Sequence, residues 1–297
     1  MLERITTVSR QAPLPLSINK AAARRIGRLA IRGLYREAAL APKPGLVTPS
    51  SQGSHGDMDF TTFVRSLQSL RAYFPAIAAC GQHGPDFAPL QALGIAAESA
   101  MLAATGGVNT HRGAIFNLGL LCAAAGQLIA DGEQPSASAC CETVKMNWGA
   151  EILHGLSSPP AASQLSHGLV VARRYGSGGA RQEAASGFPA ALALGLPAYR
   201  SVLAAHGDGE LAATQALFSL ISELDDTNLL WRGGPSGLAY GQRAASEFLA
   251  AGGVFASDWR DHAKAIDRDF IARRLSPGGS ADLLGVTLFL AELDNWT

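Results

Sequence analysis

Between its glycine-rich loops the chain is dominated by alanine and leucine, and its apolar residues recur at three- and four-residue spacing, while valine and isoleucine alternating at period two are scarce. That pattern belongs to helices that bury one face rather than to strands. It predicts an all-α fold with helices over 19–40, 59–80, 86–104, 113–131, 136–155, 180–194, 197–206, 209–224, 236–251, 258–274 and 280–293. Several ends carry physical punctuation. Asp59 can cap the helix after it, Pro75 is expected to kink or end that helix late, and Pro235 suits the first turn of the next. The run Leu169, Val170, Val171, Ala172 reads equally as a short strand or as the start of a helix. No repeat or linker divides the chain, so 19–297 is expected to form a single multi-helix bundle with glycine-rich loops at helix ends, behind an N-terminal extension, 1–18.

Composition narrows the function classes. Lys plus Arg and Asp plus Glu are both 24, so no global field recruits nucleic acid or an acidic membrane, and any anion site has to be built locally. The four cysteines, Cys80, Cys122, Cys140 and Cys141, contain no C-x-x-C and read as buried thiols of a cytoplasmic protein. Met1 to Ser17 lacks an apolar stretch of signal-peptide length. The most membrane-like window, 113–130, is broken by Asn117, Gln127 and three glycines and is expected to be a buried bundle helix.

The chemistry pools in five windows, 42–59, 106–113, 178–187, 225–234 and 276–282, where glycine keeps company with Arg, Asp, His and Ser. Asp225 and Asp226, with Thr227, Asn228 and Arg232, form the densest of them. Adjacent carboxylates in a charge-poor chain repel unless water, a cation or an arginine neutralises them. With Asp57 and Asp59 they offer the all-oxygen ligation that Mg²⁺ prefers, although Asp59 is equally a plain cap. Zinc is disfavoured, because His55, His111, His154 and His167 show neither an HExxH pattern nor a cysteine pairing. His154 reads as a structural histidine.

Lys43, Arg112, Arg181 and Arg232 each lie inside one of these windows and can grip phosphate oxygens, or can simply pair with neighbouring carboxylates. The turns before 113 and 280 open helices, whose free N–H groups and positive dipole ends hold phosphate without a P-loop. Neither a Walker motif nor a strand-linked G-x-G-x-x-G is present, and no G-x-S-x-G supports a serine hydrolase. Ser276, Ser280 and Asp282 can bind phosphate or ribose, with Ser280 equally an N-cap.

Taken together, Lys43 to Val47 with Ser54 to Asp59, Gly107 to Phe116, Gly179 to Glu183 with Ser186 to Pro189, Asp226 to Asn228 with Arg232 to Gly234, and Leu275 to Leu284 resemble the triphosphoribosyl-dephospho-coenzyme A synthases, in family order. The resemblance implies a pentosyltransferase that joins ATP to 3′-dephospho-CoA, expels adenine and supplies the prosthetic group of an acyl carrier subunit. The stretch 63–74 and Arg112 look more like the malonate decarboxylase branch than the citrate lyase branch. Thr48 to Gln52 departs from the family pattern, in which one or two charges are expected, leaving the role of that loop open.

On this resemblance Mg²⁺ sits on Asp57, Asp59, Asp225 and Asp226, and Lys43, Arg112, Arg181 and Arg232 neutralise the triphosphate. His55, Asn109, His111, Asn228, Ser276, Gly278, Gly279, Ser280 and Asp282 complete the nucleotide cradle. Glu183 is the expected general base, with Asp57 second. The Phe60 to Phe63 helix face reads equally as core or as the interface of a homodimer. Two rivals follow from the same residues: a Mg²⁺-dependent N-glycosidic hydrolase of the ADP-ribose type, and a non-catalytic helical binding protein. The second fits poorly, since protein interfaces favour aromatic and apolar anchors over loops of Asp, Arg and His.

Overall fold

The computed structural model describes residues 18–157, 170–171 and 174–296. Most of the N-terminal extension, and His167, therefore lie outside the described residues. In chain order the α-helices are α1 (Lys20–Ala39), α2 (Phe60–Leu70), α3 (Tyr73–Gly81), α4 (Phe87–Ala104), α5 (Arg112–Ala130), α6 (Ala137–Ser157), α7 (Gly179–Ala185), α8 (Leu196–His206), α9 (Gly209–Glu223), α10 (Thr227–Ala250), α11 (Trp259–Ala272) and α12 (Gly278–Leu293). Among the described residues there is no strand, only an isolated bridge between Thr48 and Ser51.

α5 is the axis of the bundle. Ala114, Leu118, Leu121, Cys122, Ala123, Ala124 and Ala125 are all fully buried, and α1, α3, α4, α6 and α12 pack around it. A helix apolar all round has to be enclosed in this way. Both α4 and α5 are long and apolar enough to cross a membrane, but 72% of the α5 window is buried inside the bundle, as the sequence reading expects. Small residues let the backbones approach: at Gly81 and Gly126 a Cβ would run into the carbonyl oxygens of Ala123 and Ala78, so α3 lies almost directly on α5.

Three boundaries differ from the sequence reading. The predicted helix 59–80 is two helices, α2 and α3, because Pro75 occupies the first turn of α3, where its missing N–H costs nothing, rather than ending α2. The predicted break before Pro197 falls instead at Gly187 and Phe188, both at positive φ, and the chain then runs through a π-turn, Ala191–Gly195, into α8. That wider turn accommodates a proline that has no N–H to give. The stretch 225–234 is largely helix: Asp226 caps it, and Gly234 (φ 62°, ψ −164°) kinks α10 just before Pro235. Val170 and Val171 are helical, while Leu169 and Ala172 lie outside the described residues. All four cysteines are free, with Cys122, Cys140 and Cys141 buried.

Candidate active site

The loop after α1 is tied to the turn that precedes α12. Gly45 sits at φ 66°, and a Cβ there would strike the Leu275 carbonyl oxygen. Its N–H donates to Asp267 Oδ1 at 2.8 Å, and Ser54 Oγ donates to the Leu275 carbonyl at 2.5 Å. This anchoring delivers His55 to Ser276, with Nε2 2.9 Å from Oγ, while Nδ1 accepts from Arg232 Nη2 at 3.1 Å. Arg232 also donates to the carbonyls of Ser54 and Arg274. Burial first, then the Arg232 charge, pull the His55 pKa down to about 4, with Asp57 opposing. The ring is therefore neutral at physiological pH and carries its proton on Nε2.

Asp226, 1% exposed, clamps two helix N-termini. Its Oδ1 accepts from the N–H groups of Asn228 (2.9 Å) and Leu229 (3.3 Å), capping α10. Its Oδ2 accepts from Ser280 N–H (2.7 Å) and Ser280 Oγ (2.9 Å), the first turn of α12. Burial raises its pKa and these four donors oppose the rise. The Asn228 amide lies over Gly278, where a Cβ would come within 2.6 Å of Nδ2. One turn on, Asp282 faces the start of α5: Gly113 has no room for a Cβ beside its carboxylate, and Ala114 N–H donates to it. α7 joins from the side, with Gly179 against Thr227 and Ser177 Oγ donating to the Asp225 carbonyl at 3.2 Å. The N-termini of α5, α10 and α12 thus meet around one polar cluster, which concentrates the positive ends of three helix dipoles.

Burial and the neighbouring charges of Glu37 and Asp226 push the Asp282 carboxyl well above the ordinary carboxylate range. A folded-state value above the unfolded one means that the native protein holds the proton more tightly across that window, so stability falls as pH rises through it. Asp282→Asn removes the like charge and keeps the shape. It is expected to gain about 1 kcal/mol at neutral pH and nothing below the ordinary carboxylate range. Urea midpoints at the two pH values check this, and a loss at neutral pH would show that the charge is compensated.

Lys43 is 1% exposed and its ammonium is engaged by Glu37 Oε1 (2.7 Å), the Glu37 carbonyl (2.7 Å) and the Ala38 carbonyl (3.4 Å). It sits behind the site as half of a buried pair. Arg112 pairs with Glu98, and Asn109 Oδ1 accepts from Arg112 N–H at 3.1 Å, helping to start α5. Arg181 is half-buried, and burial lowers its pKa. Glu183 Oε1 accepts from Ala190 N–H at 2.7 Å, with Ala191 N–H also contributing, and burial raises its pKa against those donors. His154 is exposed on α6.

The four carboxylates expected to cage a metal are not brought together. Asp57 and Asp225 are exposed, Asp59 caps α2 through Thr62, and both oxygens of Asp226 are fully occupied. Among the described residues no group of three or more His, Cys, Asp or Glu side chains is placed to hold a metal ion. This donor set does not fit a magnesium ion caged by protein. A cleft of about 890 Å³ between α1 and α2, lined by Arg24, Arg28 and Arg71 among others, shares no residue with the polar cluster.

Four buried side-chain polar atoms among the described residues lack a partner: Thr110 Oγ1, His111 Nε2, Arg112 Nε and Asn117 Oδ1. They fall between the residue before the α5 N-cap and the second turn of that helix. Buried polar groups are nearly always satisfied, and an exception of this kind marks a place for a partner from outside the chain, water or ligand. Sequence reasoning missed Glu37, Glu98, Asp267 and Ser66. Glu37 had a readable signal, since it lies three residues after Leu34 and seven after Ala30, on the apolar stripe of α1 where a charge needs a partner.

The model of the family described as CitG, ATP:dephospho-CoA triphosphoribosyl transferase, matches residues 23–297. The chain belongs to this family. It is 44% identical over 289 residues, covering 97% of each chain, to a protein of Acinetobacter calcoaceticus named probable 2-(5′′-triphosphoribosyl)-3′-dephosphocoenzyme-A synthase. It is 41% identical over 288 residues to the synthase of that name from Klebsiella pneumoniae, covering 92% of this chain and 95% of that one. The probable synthase of Salmonella gallinarum is 42% identical over 277 residues, 91% of each. No solved structure gives a significant match. Membership of the CitG family makes the enzyme a transferase of the triphosphoribosyl group, with ATP as donor and dephospho-CoA as acceptor.

Proposed function

We propose that the enzyme makes 2′-(5′′-triphosphoribosyl)-3′-dephospho-CoA in the cytoplasm, with release of adenine, for the acyl carrier subunit of malonate decarboxylase. The observation that carries the substrate assignment is the meeting of three helix N-termini beside three unpartnered buried groups able to donate, Thr110 Oγ1, His111 Nε2 and Arg112 Nε, an arrangement suited to a triphosphate. The malonate branch is supported by the resemblance of the 63–74 stretch and by Arg112.

In this reading the helix ends, Arg181 and Arg232 hold the triphosphate, which is not cleaved. The 2′-hydroxyl of dephospho-CoA gives its proton to Glu183 as its oxygen bonds to the anomeric carbon of ATP. The bond from that carbon to adenine breaks with its electron pair leaving on the base, which takes up a proton. The transition state has oxocarbenium character and the configuration inverts. No step requires a metal caged by the carboxylates, so any magnesium requirement is expected to follow the nucleotide.

The test is to incubate the enzyme with ATP, Mg²⁺ and dephospho-CoA and to follow adenine by chromatography and the coenzyme by mass spectrometry. Adenine and an adduct heavier by one triphosphoribosyl unit should appear together. Adenine without the adduct would instead identify the hydrolase, in which water replaces the 2′-hydroxyl. For the branch, cells lacking the enzyme should lose the prosthetic group of malonate decarboxylase and keep that of citrate lyase; the opposite pattern would reassign it.

A further inference from the structure

His111 is 2% exposed at the head of α5, with the edge of Phe63 packed against it at 4.9 Å between ring centroids. Its Nδ1 lies 2.7 Å from Ser66 Oγ, and Ser66 is fully buried. Which of the two atoms carries the proton follows from which arrangement leaves fewer buried groups unmet. The Ser66 hydroxyl has no other hydrogen-bond partner, so if Nδ1 carried the proton both the hydroxyl hydrogen and the Nε2 lone pair would be buried unmet, against the Nε2 hydrogen alone in the other tautomer. The extra unmet group costs roughly 1–3 kcal/mol. With Ser66 donating, Nδ1 accepts and the ring proton is forced onto Nε2, the atom that has no partner. Burial and the nearby Lys43 charge, which pull the His111 pKa down to about 3, keep the ring from taking a second proton. The unmet donor stands beside two more at adjacent residues, Thr110 Oγ1 and Arg112 Nε, a set that calls for an acceptor-rich anionic group.

We infer that Ser66 is a positioning residue that fixes His111 as a neutral donor through Nε2 to a phosphate oxygen of the bound nucleotide. The inference rests on the reading of this end of α5 as part of the ATP site, and it adds a residue on α2 that touches no substrate. A neutral donor of fixed tautomer is ready before ATP arrives, whereas a freely chosen one would have to be selected on binding.

The tautomer is readable without any activity. In full-length protein with ¹⁵N-labelled histidine, with the His111 resonances assigned by their loss in His111→Gln, long-range ¹⁵N–¹H spectra should show the proton on Nε2. A proton on Nδ1 in the unaltered protein overturns the inference, whatever reaction the enzyme performs. Ser66→Ala should shift His111 toward the Nδ1 form and weaken ATP binding about tenfold, the loss expected for one hydrogen bond to a charged group. It should leave the KM for dephospho-CoA unchanged, and Ser66→Thr should restore both tautomer and ATP affinity. Ser66→Ala with unchanged tautomer and unchanged ATP affinity would likewise sink it.

Discussion

Glu183→Gln should lower the rate of adenine release by about 10²- to 10⁴-fold while leaving ATP affinity nearly intact. Glutamine keeps the length of the side chain and one oxygen to accept from Ala190 N–H, so the turn between α7 and α8 should survive; what disappears is the ability to take a proton. Burial raises the Glu183 pKa, which suits a base working near neutrality better than an ordinary carboxylate does. The sign of the pH dependence follows. A base has to be ionised, so turnover should rise with pH through the raised value of Glu183 and should lose that limb in the variant. Single-turnover adenine release across pH, paired with ATP titration, checks both. Asp57, the second candidate, has a side chain 64% exposed and should give the smaller effect when changed to Asn. Unchanged turnover in Glu183→Gln would confine that residue to holding Ala190 and Ala191.

Much of the helical architecture was legible because it depends on local pattern. α1, α4, α5, α6, α9, α11 and α12 follow directly from apolar spacing, and Asp59 caps α2 as read; the caps Asp86 and Asp208 of α4 and α9 emerged only in the structure. The misplaced boundaries all involve proline or glycine, whose effect depends on whether the flanking turn can absorb it. Pro75 and Pro189 sit where a new helix begins, and Pro197 follows a π-turn that no periodicity announces. At the site, the five windows identified the loops, and the structure joins His55, Arg232 and Ser276 across more than 200 residues of chain. Charge alone could not tell a ligand-facing residue from a buried partner. Lys43 reads as a phosphate ligand in sequence, but its three acceptors come from Glu37 and Ala38, and that pairing became visible only when α1 was packed. Ser66 had no signal at all, being one hydroxyl on an amphipathic helix until His111 was placed against it.

Asp226→Asn separates the two meanings of the adjacent carboxylates. If Asp226 ligated a metal, the variant would fold normally and shift the Mg²⁺ dependence of ATP binding. The geometry predicts the reverse. Oδ1 already takes two N–H donors of α10 and Oδ2 takes the N–H and hydroxyl of Ser280, so an amide nitrogen at either position faces donors with a donor. Because Asp226 is buried, the displaced groups find no water, and breaking such a network costs about 3–5 kcal/mol. Some of that loss should be recovered, since burial raises the carboxyl's pKa and the amide carries no charge to desolvate. A net loss of about 2–3 kcal/mol in urea unfolding at neutral pH is therefore expected. Asp226→Ala, which leaves all four donors unanswered, should fall at the upper end of the range. Mg²⁺ titration of the folded Asn variant should superimpose on that of the parent once the fraction folded is matched. A displaced titration with unaltered stability would instead make Asp226 a metal ligand, and the α10–α12 junction would then depend on the cation rather than on the clamp.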